Sequence, residues 1–256
     1  MRESNSGAVV VAHDDKICEV LINRPEKRNA LSHQLLLEIT AAVQYAEASG
    51  YRVLILRGEG GYFSAGADVM EMQGTSVDSA WFDCLRDLVT ALSSSSLVTI
   101  AAIERGCMGA AIEIAAACDL RVGDESTVFA LPSIAMGIVY PPESLARVMA
   151  IIGPGSLARL VLINQVLTAS EAYAHGLITS LASRTAFEDA FEIATRLVQL
   201  PPQALIQTTR LLSSMLDGTA EVDEWYGVYL ASLQTIERRD AVCRRQQARE
   251  ESRHAH

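Results

Sequence analysis

None of the five cysteines in this 256-residue chain lies in a C-x-x-C pair, and Cys18, Cys84, Cys107, Cys118 and Cys243 are scattered along it. This excludes a disulfide framework and a cysteine-built zinc site, and the usage suits a reducing cytoplasm. Positive charge is scarce as well. Lys and Arg total 21 against 31 Asp and Glu, a formal net charge of −10, and Lys16 and Lys27 are the only lysines. Such a surface repels phosphate backbones and anionic lipid, so neither nucleic acid nor a membrane is expected as a partner. An anionic small molecule stays possible where a few local cations gather. No apolar run approaches the ~20 residues that span a bilayer; the longest candidate, residues 96–118, is broken by Glu104, Arg105 and Glu113. The start, MRESNSGAVVVAHDDK, lacks the basic head and apolar stretch of a signal peptide, and a cytoplasmic location is expected. Metal-ligand spacing is missing among His13, His33, His175, His254 and His256 apart from the terminal His-Ala-His, which reads as a tail. No metal is expected.

Apolar residues are plentiful, half of the chain, and a fold of this length hides roughly 70–75% of its extended surface. The runs Ala8 to Ala12 and Ile17 to Ile22 flank His13-Asp14-Asp15-Lys16, the pattern of an antiparallel hairpin. Ser32 can cap a helix whose apolar positions Leu35, Leu36, Ile39, Val43 and Ala46 recur at helical spacing up to Gly50. Buried strands at residues 52–56 and 97–103, a helix at 78–92, a tightly packed helix at 109–117 and short strands at 119–122 and 127–130 follow. This succession predicts an α/β domain with a covered sheet. Beyond Pro141 helices dominate, at 143–152, 155–162, 170–175, 187–200, 202–216 and 222–247, with one strand at 177–181. Pro201-Pro202 marks a boundary, since paired prolines stop one helix and Pro opens the next.

Two segments bear chemistry. Ser64-Ala65-Gly66-Ala67-Asp68 lies between a buried strand and a helix start, where small side chains leave backbone N–H groups open to an oxyanion; the alternative is a tight turn with Asp68 as a cap. Gly106-Cys107-Met108-Gly109-Ala110-Ala111-Ile112-Glu113 also follows a buried strand and opens a helix. An N–H at Ala110 and a carboxylate one turn later, at Glu113, can serve one cavity. Glu113 is otherwise among apolar neighbours, where burial raises a carboxyl toward general acid or base use; the alternative is pairing with Arg105 or Arg121.

Arg24-Pro25 through Asn29-Ala30-Leu31, Phe63 through Asp68, and Ile100 through Gly109 and Glu113 to Leu120 together resemble the crotonase, or enoyl-CoA hydratase/isomerase, superfamily. The resemblance runs from about Ile17 to Leu181. It implies a spiral of β-β-α units over residues 1–200 and a helical oligomerisation segment over 201–256, forming a homotrimer or dimer of trimers. It also implies an acyl-CoA thioester as substrate, with coenzyme A entering only as part of it and no cofactor bound permanently. The substrate enolate is then held by the N–H groups of Ala67 and Ala110, with Ala65, Gly66, Asp68 and Gly109 around it and Glu113 as acid or base. Lys27 and Arg28 are candidates for the CoA phosphates. So are Arg238, Arg239, Arg244 and Arg245, for which a solvated helix face is the alternative.

Departures from the pattern bear on the reaction. Ser133 stands where hydratases of this family have a second glutamate, and a hydroxyl can orient water but hardly titrates. Tyr140 and Glu143 replace a glycine-rich stretch and are candidate substitutes: Glu143 as a base aimed inward, Tyr140 as a hydrogen-bond donor. A tyrosine at this place is similar to bacterial methylmalonyl-CoA decarboxylase, although that enzyme has His where this chain has Ala67. An enoyl-CoA hydratase or isomerase is therefore expected, with a malonyl-type decarboxylase or a non-catalytic acyl-CoA-binding protein as alternatives.

Overall fold

The computed structural model describes residues 2–3 and 7–254; Met1 and the last two residues of the terminal His-Ala-His lie outside them. The elements follow in the order β1 (Arg2–Glu3), β2 (Ala8–Ala12), β3 (Ile17–Ile22), α1 (His33–Ala48), β4 (Val53–Gly58), α2 (Ser79–Ser93), β5 (Val98–Ile103), β6 (Gly106–Met108), α3 (Ala110–Ala117), β7 (Leu120–Gly123) and β8 (Val128–Ala130). Then come α4 (Pro142–Leu162), β9 (Leu167–Thr168), α5 (Ala169–Ala174), β10 (Ser180–Leu181), α6 (Ala186–Leu197), α7 (Pro202–Leu216), α8 (Val222–Ser232) and α9 (Ile236–His254).

The main sheet has the order β1-β2-β3-β4-β5-β7-β10, antiparallel from β1 to β3 and parallel thereafter. Its central strands are mostly apolar because both faces are covered, with Glu19, Arg57 and Thr99 the exceptions in β3, β4 and β5. Cys18, Val20, Leu54, Leu56, Ala101 and Ile103 face α1, α2 and α3, whereas Ile17, Val53, Ile55, Ile100, Ala102 and Val122 face α6. On α6 the meeting residues are Ala186, Ala190 and Ala194, spaced so that one stripe of small side chains lets the helix approach the sheet closely. Each buried Leu or Ile of these layers contributes about 1.5–3 kcal/mol of transfer free energy.

Ser32 caps α1 as expected, its side chain accepting from Leu35 N at 3.1 Å. Other elements differ from the sequence reading. A second sheet, β6-β8-β9, was not foreseen, since strands of two or three residues carry no periodicity. The strand expected at 177–181 shrinks to Ser180–Leu181, while Leu177 and Ile178 are buried in the turn before it. The helix expected at 222–247 is two helices, α8 and α9, separated at residues 233–235. The helices expected at 143–152 and 155–162 are both present: α4 is broken between them at Gly153 (φ 77°, ψ 162°, outside the helical range) before Pro154. Counted across that break, α4 has 21 residues, of which an 18-residue window has a mean hydropathy of 1.5, long and apolar enough by length and composition alone to cross a membrane. That break, and the Arg147–Asp217 ion pair (3.0 Å) tying α4 to the end of α7, set it against the rest of the fold.

Candidate active site

Two chain reversals at the C-terminal ends of parallel strands, the usual place for ligands in such sheets, form one wall of a cavity of about 160 Å³. The first follows β4. Asn29, fully buried with φ +56°, donates from Nδ2 to Glu59 O and Tyr62 O and accepts at Oδ1 from Arg24 N. Ser64 Oγ donates to Asn29 O and accepts from Gly66 N. Leu31 N then donates to Gly66 O, and Asp68 N to Leu31 O, in a parallel bridge between Leu31 and Ala67. In such a bridge the flanking residues make the bonds, so the N–H of Ala67 itself points away from Leu31. Gly66 is required here: it has φ +83°, and a Cβ would sit 2.5 Å from Met108 O.

The second reversal follows β6. Gly109 adopts φ 55°, ψ −124°, outside the range of other residues, and donates its N–H to Ala130 O. The turn brings Ala110 to the first position of α3, whose N–H has no partner within the helix. Ala65, Ala67, Gly109 and Ala110 therefore share one wall of the cavity, with the positive end of α3 behind it. Trp81, Phe82, Met72 and Leu131 supply much of the remaining lining. The Trp81 indole N–H is spent on Leu31 O, 3.0 Å away, so that side chain offers the cavity only its apolar surface.

Side chains complete the lining. Ser133 and Tyr140 line the cavity; Glu113 does not, but is buried behind them. Glu113 Oε1 accepts a hydrogen bond from Ser144 Oγ at 2.5 Å. Three buried polar atoms make no hydrogen bond of good geometry, Glu113 Oε2, Ser133 Oγ and the Tyr140 hydroxyl, although Tyr140 and Glu113 are near enough to act on each other. Burial pushes the Glu113 carboxyl up, only partly offset by the Ser144 hydrogen bond and the charge of Arg147. Burial and then the neighbouring Glu113 charge push the Tyr140 hydroxyl well above its ordinary range.

Several expectations are corrected. The Ala110 amide and the Glu113 carboxylate do not serve the cavity side by side: the amide reaches it, the carboxylate lies beyond Tyr140. Neither Arg105 nor Arg121 partners Glu113; the Arg121 guanidinium donates to Leu177 O and Cys118 O. Glu143 is exposed and absent from the lining, because the residue of α4 that turns inward is the next one, Ser144. The Asp68 side chain is taken up mainly by cations of its own chain. It is 4% exposed, with Oδ2 accepting from Arg24 at 3.0 Å and Lys27 at 3.1 Å and Oδ1 from Met70 N. Burial raises the Asp68 carboxyl, but Lys27, Arg24 and Met70 outweigh it and hold it below the usual carboxylate range. Lys27 thus meets an acid of its own chain, while Arg28 is exposed with its guanidinium 6.0 Å from the centre of the Tyr62 ring. Arg238, Arg239, Arg244 and Arg245 are exposed on α9. Two functional roles went unread, those of Asn29 and Ser144. A non-glycine residue at positive φ is the signal for Asn29, an Asn between two apolar elements; nothing local marks Ser144. No cluster of three potential metal ligands occurs among the described residues.

A family model described as enoyl-CoA hydratase/isomerase matches residues 12–227. The chain is 32% identical to the human enoyl-CoA hydratase domain-containing protein 2, mitochondrial, over 90% of its own length and 81% of that protein's. It is 28% identical to the 2,3-dehydroadipyl-CoA hydratase of Escherichia coli, covering 77% of this chain and 78% of that one. Among solved structures, an enoyl-CoA hydratase/isomerase family protein from Hyphomonas neptunium superposes with a TM-score of 0.83 at 29% identity, covering 89% and 90% of the two chains. With its mixed α/β architecture and paired chain reversals, the chain belongs to the enoyl-CoA hydratase/isomerase family of the crotonase superfamily, and it is an enzyme of that kind.

Proposed function

We propose that this enzyme binds an acyl-CoA thioester and works through its enolate, held between the N–H groups of Ala67 and Ala110, with Tyr140 and Glu113 exchanging the proton at the α-carbon. The observation that carries the reading is the placement of two unpaired N–H groups and the unpaired Tyr140 hydroxyl around one apolar cavity. N–H groups fixed before the reaction stabilise the charge that develops on the thioester oxygen without reorganising. Burial raises the Glu113 carboxyl above its ordinary range, the direction that suits a general acid or base. Tyr140 passes its own proton to the α-carbon as it takes one from Glu113, or the reverse. The reading brings with it acyl-CoA as the sole ligand, no further cofactor, a homotrimer or dimer of trimers and a cytoplasmic setting.

A second reading is decarboxylation of a malonyl-type thioester. It is favoured by Ser133, a hydroxyl lining the cavity where hydration calls for a second carboxylate. The bond from the α-carbon to the carboxylate breaks, its electron pair forms the same enolate, carbon dioxide leaves, and the Tyr140–Glu113 pair protonates the carbon. One titrating pair suffices for this or for isomerisation, whereas hydration divides its proton transfers between two carboxylates. Turnover of crotonyl-, 3-enoyl- and methylmalonyl-type thioesters by the wild type, Glu113→Gln and Ser133→Glu separates the cases. Slow wild-type hydration that Ser133→Glu raises supports the missing carboxylate. Binding with no turnover of any thioester leaves a non-catalytic acyl-CoA-binding protein, and unchanged turnover in Glu113→Gln removes that residue from the mechanism.

A further inference from the structure

Glu113 is held from one side only. The groups that act on it most strongly come from a single stretch at the start of α4 and just before it: the hydroxyls of Ser144 and Tyr140 and the charges of Arg147 and Glu143. Ser144, 3% exposed, donates to Oε1 and leaves Oε2 with no hydrogen bond of good geometry. Arg147 lies one turn further along the helix, on the same face as Ser144. Its own guanidinium is gripped by both oxygens of Asp217, at 3.0 and 3.3 Å, where the α7 helix ends. The C-terminal segment thus holds Arg147 by an ion pair, and Arg147 acts on the carboxylate behind the cavity through its charge, from the same helix face as the Ser144 that bonds it.

We propose that Ser144 and Arg147 are positioning residues for Glu113, and that Asp217 ties the C-terminal segment to the reaction by holding Arg147 against it. The assignment rests on the role given above to Glu113. Ser144 fixes one oxygen so that the other faces Tyr140, and so decides which oxygen exchanges the proton. Arg147 favours the charged carboxylate, and Asp217 keeps that charge from swinging into solvent. A segment that contributes no side chain to the cavity lining thereby sets the pH at which Glu113 works.

The test is the pH dependence of kcat/KM in the full-length enzyme, read on the limb that Glu113→Gln abolishes. Ser144→Ala should lower kcat roughly tenfold with KM little changed and move that limb to higher pH, because a bond favouring the carboxylate is lost. Arg147→Gln should move it the same way and Arg147→Lys should restore it. Asp217→Asn, at a partly exposed helix end where folding is not at stake, should also move the limb up by releasing Arg147, and Asp217→Glu should reverse this. A limb that moves down in Asp217→Asn would mean that only a nearby negative charge had been removed, and overturns the tie. Limbs unmoved in Ser144→Ala and Arg147→Gln overturn the positioning roles. An infrared titration of the buried carboxyl, assigned by its loss in Glu113→Gln, reads the same displacements without turnover. It therefore still decides the matter should Glu113→Gln prove fully active, an outcome that defeats the functional reading alone.

Discussion

Part of the cavity lining is built from main chain, at Ala67 and Ala110, and part from side chains, at Ser133 and Tyr140, the latter backed by the buried Glu113. On the main-chain side the supporting polar groups are satisfied: Asn29 bonds three ways, Ser64 twice, Asp68 three times. On the side-chain side three buried polar atoms make no hydrogen bond of good geometry, and a buried polar atom left so costs about 1–3 kcal/mol. A fold sustains that cost where a ligand completes the bonds. The contrast suggests a division of labour, in which backbone geometry binds the thioester and replaceable side chains select what is done to it.

The heaviest blow to the side-chain half is Tyr140→Phe, which keeps the ring and removes the hydroxyl. Loss of a proton-transfer group lowers kcat on the preferred thioester by ~10²–10⁴, with KM within a few-fold. Thermal unfolding should show a stability equal to or slightly above that of the wild type, because the hydroxyl it loses is an unpaired one. Ser133→Ala removes another unpaired hydroxyl but no titrating group, and should change turnover less than tenfold, about one decade at most. Equal losses in the two variants would break the distinction between a proton station and a bystander.

Next in size is Gly66→Ala on the main-chain half. Its Cβ meets Met108 O at 2.5 Å and its φ of +83° is foreign to alanine, so the turn must shift and the Ala67 N–H with it. Removing one oxyanion donor costs ~10²–10³ in kcat, and here the fold should weaken as well, by about 1–3 kcal/mol. Steady-state kinetics beside chemical denaturation checks both. A fully active Gly66→Ala enzyme would mean that the main-chain wall does not hold the reacting oxygen.

The same division explains what could be read from residues alone. The Ser32 cap, the apolar spacing of α1, the strands of the central sheet and the two glycine reversals are local signals, complete within a few residues of chain. Ser144 is different: its bond to Glu113 joins residues 31 apart, and no local pattern announces it. The choice of Glu143 instead shows how little separates the two, since neighbours on a helix point ~100° apart and a single position decides between solvent and core. The strands β6 and β9 escaped for a related reason, being shorter than one period of alternation. Arg121 was a reasonable partner for Glu113 by sequence distance, yet backbone carbonyls at Cys118 and Leu177 claim it first.

The smallest expected effect concerns the anchor of the main-chain wall. Asp68→Asn keeps the shape of the side chain and removes the charge that draws in Arg24 and Lys27. Arg24 retains its bond to Ala30 O, and Lys27 is nearly half exposed, so the loss falls below that of a fully buried pair, about 1–3 kcal/mol at neutral pH. The sign of the pH dependence follows from the direction in which the carboxyl is held. Its proton affinity is lowered on folding, so Asp68 contributes stability above the unfolded carboxylate range, and that contribution is lost as pH falls through the folded value. Denaturation curves of the two proteins should therefore lie apart at pH 7 and converge in strong acid. A gap that stays constant down to acid pH would place the stabilisation in the shape of the turn instead of in its ion pairs. The main-chain wall would then owe nothing to charge, which would sharpen its contrast with a side-chain wall whose chemistry depends on it.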